Sequence, residues 1–115
     1  MAQKIQLVFA SGPRIATIDC TLNVPMEDGT IQQQGLKVKC ELLTNDEVNA
    51  FYADGGTKDA GLLARIVKGF PELMDEDGVA PEFETAKQGL LGYPYVSLGI
   101  LQSYMTFRAG VTEKN

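Results

Sequence analysis

Side chains able to do covalent or acid–base chemistry are few in this chain. It contains no histidine, which removes Ser-His-Asp and Cys-His arrangements, imidazole metal sites and the usual general base near neutral pH. Its two cysteines, Cys20 and Cys40, stand twenty positions apart without a CxxC pair, so neither a zinc site nor a thioredoxin-like motif fits. Both read as small buried apolar residues. Asp75, Asp77 and Gly78 echo part of an EF-hand loop, but with Gly78 at the sixth position Leu73 would fill the first, where an aspartate is needed. The pair Asp75 and Asp77 has no nucleophile, cofactor or oxyanion site beside it in sequence and reads as a solvated turn. Gly55-Gly56 is not followed by Gly-Lys-Ser/Thr, so no phosphate loop is expected. The chemistry left is non-covalent: no catalytic residue, no cofactor and no metal are expected.

The chain's 115 residues and 12.5 kDa suit one domain, spanning residues 1–115. An apolar fraction of 44% and a charged fraction of 22% argue against a wholly disordered chain. No run reaches the ~18 apolar residues of a membrane span, and the start has too short an apolar run for a secretory signal. A cytosolic chain without membrane contact is therefore expected, and a Cys20–Cys40 disulfide is not. Ten basic and fifteen acidic side chains give a net charge of −5, which argues against a nucleic-acid partner. The excess is local: Glu72, Asp75, Glu76, Asp77, Glu82 and Glu84 fall in one stretch without a basic residue.

Those residues sit on an α+β pattern, with a β part over residues 1–43 and a helical part over 44–111. Ala16, Ile18, Cys20, Leu22 and Val24 alternate with polar residues, as do Leu36, Val38, Cys40 and Leu42, which is the period of half-buried strands. Asp28-Gly29 between them predicts an antiparallel hairpin. Both inward sets are even-numbered, so facing residues must sum to an even number, which requires a three- or five-residue loop or a bulge near Gln34-Gly35. Lys4 to Ala10 reads as an extra or edge strand. Thr44-Asn45-Asp46-Glu47 matches a capping box and predicts a helix from Asn45 to Ala53, broken by Asp54-Gly55-Gly56-Thr57. Asp59 can cap a second helix carrying Leu62, Leu63, Ile66 and Val67 and ended by Gly69 and Pro71. A third helix is expected from Thr85 to Leu91, and a fourth from Pro94 to Ala109. The expectation is an N-terminal antiparallel hairpin or small sheet followed by a bundle of three to four short helices.

The last helix is richer in apolar residues than one packing contact needs. Val96, Ile100, Tyr104 and Phe107 share a face, and Leu98, Leu101 and Met105 widen it. A thin core cannot easily cover all of them. The simplest place for Phe70, Tyr93, Tyr95, Tyr104 and Phe107 is the core, but uncovered apolar area would mark a partner site. The candidate partner-binding set is therefore Phe70, Leu73, Leu98, Ile100, Leu101, Tyr104, Met105 and Phe107, forming a groove for an amphipathic helix or a self-association surface.

The order of the motifs carries a resemblance. Val24-Pro25-Met26-Glu27-Asp28-Gly29, the strand Leu36-Lys37-Val38-Lys39-Cys40 and the helix start Thr44-Asn45-Asp46-Glu47 come in sequence. Then come Leu62 to Phe70, the run Met74-Asp75-Glu76-Asp77-Gly78-Val79-Ala80-Pro81-Glu82-Phe83, Tyr93-Pro94, Leu101-Gln102-Ser103-Tyr104 and the end Glu113-Lys114-Asn115. From about Thr21 to Asn115 this resembles the tail assembly chaperones of long-tailed bacteriophages, with Phe70 where that family usually has tryptophan. The resemblance implies a non-catalytic protein of the host cytoplasm, absent from the finished virion. It would bind the tape measure protein, keep its apolar helices soluble and help bring tail tube subunits to it. The rival within that resemblance is a prophage-borne decoy that interferes with the tail assembly of another phage. The rival of another class, a small cytosolic enzyme, lacks histidine, metal motifs and phosphate loops.

Overall fold

A computed structural model describes residues 14–53 and 59–110. The readings for Lys4–Ala10, Asp54–Thr57 and Glu113–Asn115 lie outside the described residues. The protein is α+β: the described residues form a three-stranded antiparallel sheet in the order β1-β2-β3 and four helices. β1 (Arg14–Pro25) and β2 (Ile31–Leu42) form the hairpin, and its register pairs Ala16 with Cys40, Ile18 with Val38 and Leu22 with Gln34. Every facing pair has an even sum, as the two inward sets require. The turn achieves this parity through Gly29 at φ +88°, with the Gly29 N–H donating to the Met26 carbonyl (3.0 Å) and the Met26 N–H to the Thr30 carbonyl (2.8 Å). That is a three-residue loop with glycine in the left-handed position. Asp28 holds it, accepting from the Thr30 N–H (3.0 Å) and hydroxyl (2.6 Å).

The inward face of the hairpin carries Ile18, Cys20, Leu22, Val38 and Cys40, all buried. Both thiols therefore enter the same core. Cys20 pairs with Leu36 and Cys40 with Ala16, so the cysteines are offset by four residues, roughly 13 Å along the strands at ~3.3 Å per residue. A disulfide spans only ~4.4–6.8 Å between Cα atoms, so the register keeps the two apart. Burial, with the charge of Cys20 adding to it, pushes the Cys40 thiol up to about 12. It is an apolar side chain at neutral pH.

Among the described residues, four helices close the other side of this core. α1 (Asn45–Ala50) starts from Thr44 with both halves of the capping box made: the Glu47 N–H donates to Thr44 Oγ1 (3.2 Å) and the Thr44 N–H to Glu47 Oε1 (2.9 Å). It ends three residues before the expected boundary. α2 (Asp59–Ile66) buries Leu62, Leu63 and Ile66. Its expected continuation to Gly69 is overturned, because Val67–Gly69 is a third strand, β3, pairing Val67 with Cys40 and Gly69 with Lys39. A β-branched residue gains a fully buried place beside Cys40 there, and tertiary packing outweighs helical continuation. α3 (Phe83–Leu91) starts two residues earlier than Thr85, because Glu82 is its N-cap, accepting from the Glu84 N–H and Thr85 N–H at 3.1 Å each. α4 (Pro94–Arg108) has proline in its first turn.

α4 lies against β1 at one point where only glycine fits. A Cβ on Gly99 would sit 2.6 Å from the Thr21 carbonyl oxygen and 2.7 Å from Leu22 Cδ2. One turn on, Ser103 Oγ accepts the Thr21 N–H (3.2 Å). The helix thus covers the outer edge of β1 and satisfies a backbone donor that β2 does not take.

Candidate partner surface

The eight residues proposed from sequence divide into three groups. Ile100 and Tyr104 are fully buried, so their assignment to a contact surface is corrected: both are core. The Tyr104 hydroxyl accepts from the Leu43 N–H (3.0 Å) and donates to the Glu41 carbonyl (2.8 Å). It ties the C-terminal helix to the chain as it leaves β2, and burial pushes its phenol above the ordinary tyrosine range. Sequence spacing placed these two correctly beside Val96; it could not say that β1 and β2 would cover them.

Leu98, Leu101 and Met105 form the second group. Their i, i+3, i+7 spacing lines them up along one side of α4. Leu98 is 55% exposed, whereas Leu101 and Met105 are half-buried against the core. Leu101 and Met105 also line an open groove between α4 and β1, together with Thr21, Asn23, Gln102 and Thr106. Phe107 adds a ring that is 44% exposed. Near the start of α4, Tyr93 is exposed and stacks at a tilt on Tyr95, with 5.6 Å between ring centres. Tyr93 and Phe107 are therefore surface residues, contrary to the simplest expectation that they are core.

Phe70 and Leu73 make the third group. Both are half-buried, and with Ala80, Pro81, Phe83 and Ala86 they line a small notch. Phe70 and Phe83 meet at a tilt, 5.7 Å between centres. Lys87 crosses this corner, with Nζ 5.5 Å from the centre of the Phe83 ring while donating to the Ala64 carbonyl (2.7 Å) near the C-terminal end of α2. The notch shares no residue with the groove beside α4. The single groove expected from sequence is two separate apolar patches. Phe83 belongs to the first of them; its only sequence signal was its place after the acidic turn.

The acidic turn is a turn. Asp75 Oδ1 accepts from the N–H groups of Asp77 and Val79, both at 2.9 Å, and Gly78 takes φ +77°. The Gly78 N–H donates to the Asp75 carbonyl and the Asp75 N–H to the Val79 carbonyl, the same loop that joins β1 to β2. One Asp75 oxygen is thus committed to the backbone, and no group of metal-ligating side chains forms among the described residues.

Charges gather instead on the outer face of the sheet. Glu41, 10% exposed at its side chain, receives Arg65 through both carboxylate oxygens at 3.2 Å, with Lys68 at 3.6 Å. The hydrogen bond from Arg65 holds the Glu41 carboxyl below the ordinary glutamate range, against the effect of burial. Asp19 and Lys37 face each other across the hairpin at 2.7 Å, and the bond to Asp19 raises the lysine's affinity for its proton. Glu41 with Arg65 joins β2 to α2, whereas Glu41 with Lys68 and Asp19 with Lys37 join strand to strand.

Sequence reasoning missed one surface. From Pro25 to Gly35 every residue is exposed, so the end of the hairpin stands clear of the helices. Met26 and Ile31 are 40% and 61% exposed there. The loss of alternation after Val24 and across Gln32-Gln33-Gln34 was the available signal. Comparisons with protein-family models, curated proteins and solved structures return no match. Among the described residues no helix is long and apolar enough to cross a membrane.

Proposed function

We propose that this protein is a non-catalytic tail assembly chaperone of a long-tailed bacteriophage. In this reading it binds the tape measure protein in the host cytoplasm, keeps it soluble and helps recruit tail tube subunits, without remaining in the virion. The observation that carries the reading is the stripe of Leu98, Leu101 and Met105 beside an open groove on a domain whose core is already enclosed. Apolar side chains left on such a surface favour an amphipathic helix whose own apolar face needs cover. The ordered motifs from Val24-Pro25 to Leu101-Gln102-Ser103-Tyr104 support the same reading. Co-expression with the tape measure protein tests it: the tape measure should stay soluble and co-purify with this chain. A tape measure that remains insoluble would overturn the proposal.

A further inference from the structure

Two loops of the chain share one backbone form and one sequence core. Met26–Thr30 holds Glu27-Asp28-Gly29, and Asp75–Val79 holds Glu76-Asp77-Gly78. In each, the first N–H donates to the last carbonyl (2.8 Å) and the glycine N–H donates to the first carbonyl (3.0 Å). Both glycines take positive φ, and every residue of both loops is exposed. The aspartate before the glycine is what differs. Asp28 Oδ1 is bound by the Thr30 hydroxyl and N–H, which hold its carboxyl below the ordinary aspartate range. In the other loop Asp75 does the fastening. The Asp77 carboxylate makes no hydrogen bond or ion pair among the described residues. The first loop is also clamped by β1 and β2, which adjoin it directly, whereas the second lies between β3 and α3 with no strand or helix next to it.

We infer that, among the described residues, Asp77 is a site of spontaneous isomerisation to isoaspartate, and that Asp28 in the same loop form is protected from it. The Gly78 nitrogen gives up its proton and attacks Asp77 Cγ, forming an N–Cγ bond while the carboxyl oxygen leaves as water. The cyclic imide then takes up water again. Cleavage at N–Cγ restores aspartate. Cleavage between that nitrogen and the Asp77 backbone carbonyl carbon leaves the chain running through Cβ and Cγ. Water leaves and water returns, so the mass is unchanged. Glycine suits the step because no Cβ crowds the attacking nitrogen. The attack needs a carboxyl that is protonated and free to turn, since an ionised carboxylate is a poor electrophile. Thr30 denies Asp28 both conditions, and nothing does so at Asp77. A loop without flanking strands also opens more readily, which releases the Gly78 N–H from the Asp75 carbonyl. This loop joins Leu73 to Ala80 and Pro81, which line the notch beside Phe70. The extra main-chain carbon of an isoaspartate therefore reshapes that apolar patch.

Ageing the full chain in mildly acidic buffer, followed by peptide mapping with electron-transfer fragmentation, tests the assignment. Mapping also keeps Asp54-Gly55, which lies outside the described residues, separate from the other two sites. Isoaspartate should accumulate at Asp77 about tenfold faster than at Asp28, the factor carried by one charge-assisted hydrogen bond. Thr30→Val removes the hydroxyl while keeping the shape of the side chain, and should speed Asp28 severalfold without changing Asp77. In urea both sites are Glu-Asp-Gly in an unfolded chain, so their rates should converge. Isoaspartate forming as fast at Asp28 as at Asp77 in the folded chain would overturn the inference. So would a Thr30→Val chain with no gain at Asp28, or a difference between the sites that persists in urea.

Discussion

Replacing Gly99 by alanine isolates the contact that seats α4 on the sheet. The added methyl would lie 2.6 Å from the Thr21 oxygen and 2.7 Å from Leu22 Cδ2, so the helix must retreat by roughly half an ångström or more to reach ordinary contact distance. That movement stretches the Ser103–Thr21 hydrogen bond, already 3.2 Å, toward its limit. Overpacking costs ~1–3 kcal/mol and the weakened hydrogen bond up to about 1. Alanine recovers about 1 kcal/mol of helix propensity. The net loss is up to about 3 kcal/mol, or up to roughly 15 °C in thermal midpoint for a domain this size. Gly89 in α3 supplies the control, because a Cβ there meets nothing within 4 Å, so Gly89→Ala should stabilise by up to ~1 kcal/mol. Thermal denaturation followed by circular dichroism reads both. Two shifts of the same sign would refute the close approach of α4 to β1.

Tyr104→Phe should cost about 2 kcal/mol, roughly 8–10 °C by calorimetry, because it leaves the Leu43 N–H and Glu41 carbonyl without the hydroxyl that serves both. A midpoint unchanged within 2 °C would contradict that role. Glu41 titrates lower in the folded chain than in the unfolded one, so its contribution is present above about pH 4.3 and fades as pH falls through its folded value. The stability gap between the native chain and Glu41→Gln, measured by urea unfolding, should be full at pH 7 and close in acid; a gap that widens in acid would reverse the sign of the argument. Asp75→Asn keeps the accepting oxygen of the turn and should leave the midpoint nearly unchanged, whereas Asp75→Ala removes it and should lower the midpoint.

How much of this was legible from sequence follows from what each signal encodes. Period-two alternation and the parity of the inward sets gave the hairpin, the parity of its register and the shared burial of Cys20 and Cys40, because those depend on local pattern; which even-sum register forms came only from the turn at Gly29. Thr44-Asn45-Asp46-Glu47 fixed a helix start for the same reason. Val67 was misread because its neighbours Leu62, Leu63 and Ile66 carry a helical period, and only the long-range partner Cys40 makes it a strand residue. Ile100 and Tyr104 were assigned to a surface because helical spacing gives the side of a helix, not what lies against it. The exposed end of the hairpin left almost no trace, since the tract Gln32-Gln33-Gln34 has no apolar period to read.

The binding claim rests most directly on Leu98, which is 55% exposed, unlike Leu101 and Met105, which also pack on the core. Its truncation therefore tests contact with a partner without disturbing the fold. The measurement is the dissociation constant between this chain and a soluble apolar helical segment of the tape measure protein, for the native chain and Leu98→Ala at matched thermal midpoints. The account predicts measurable binding that Leu98→Ala weakens about tenfold, near 1.4 kcal/mol. Binding that is absent, or equally tight in both proteins, would contradict it.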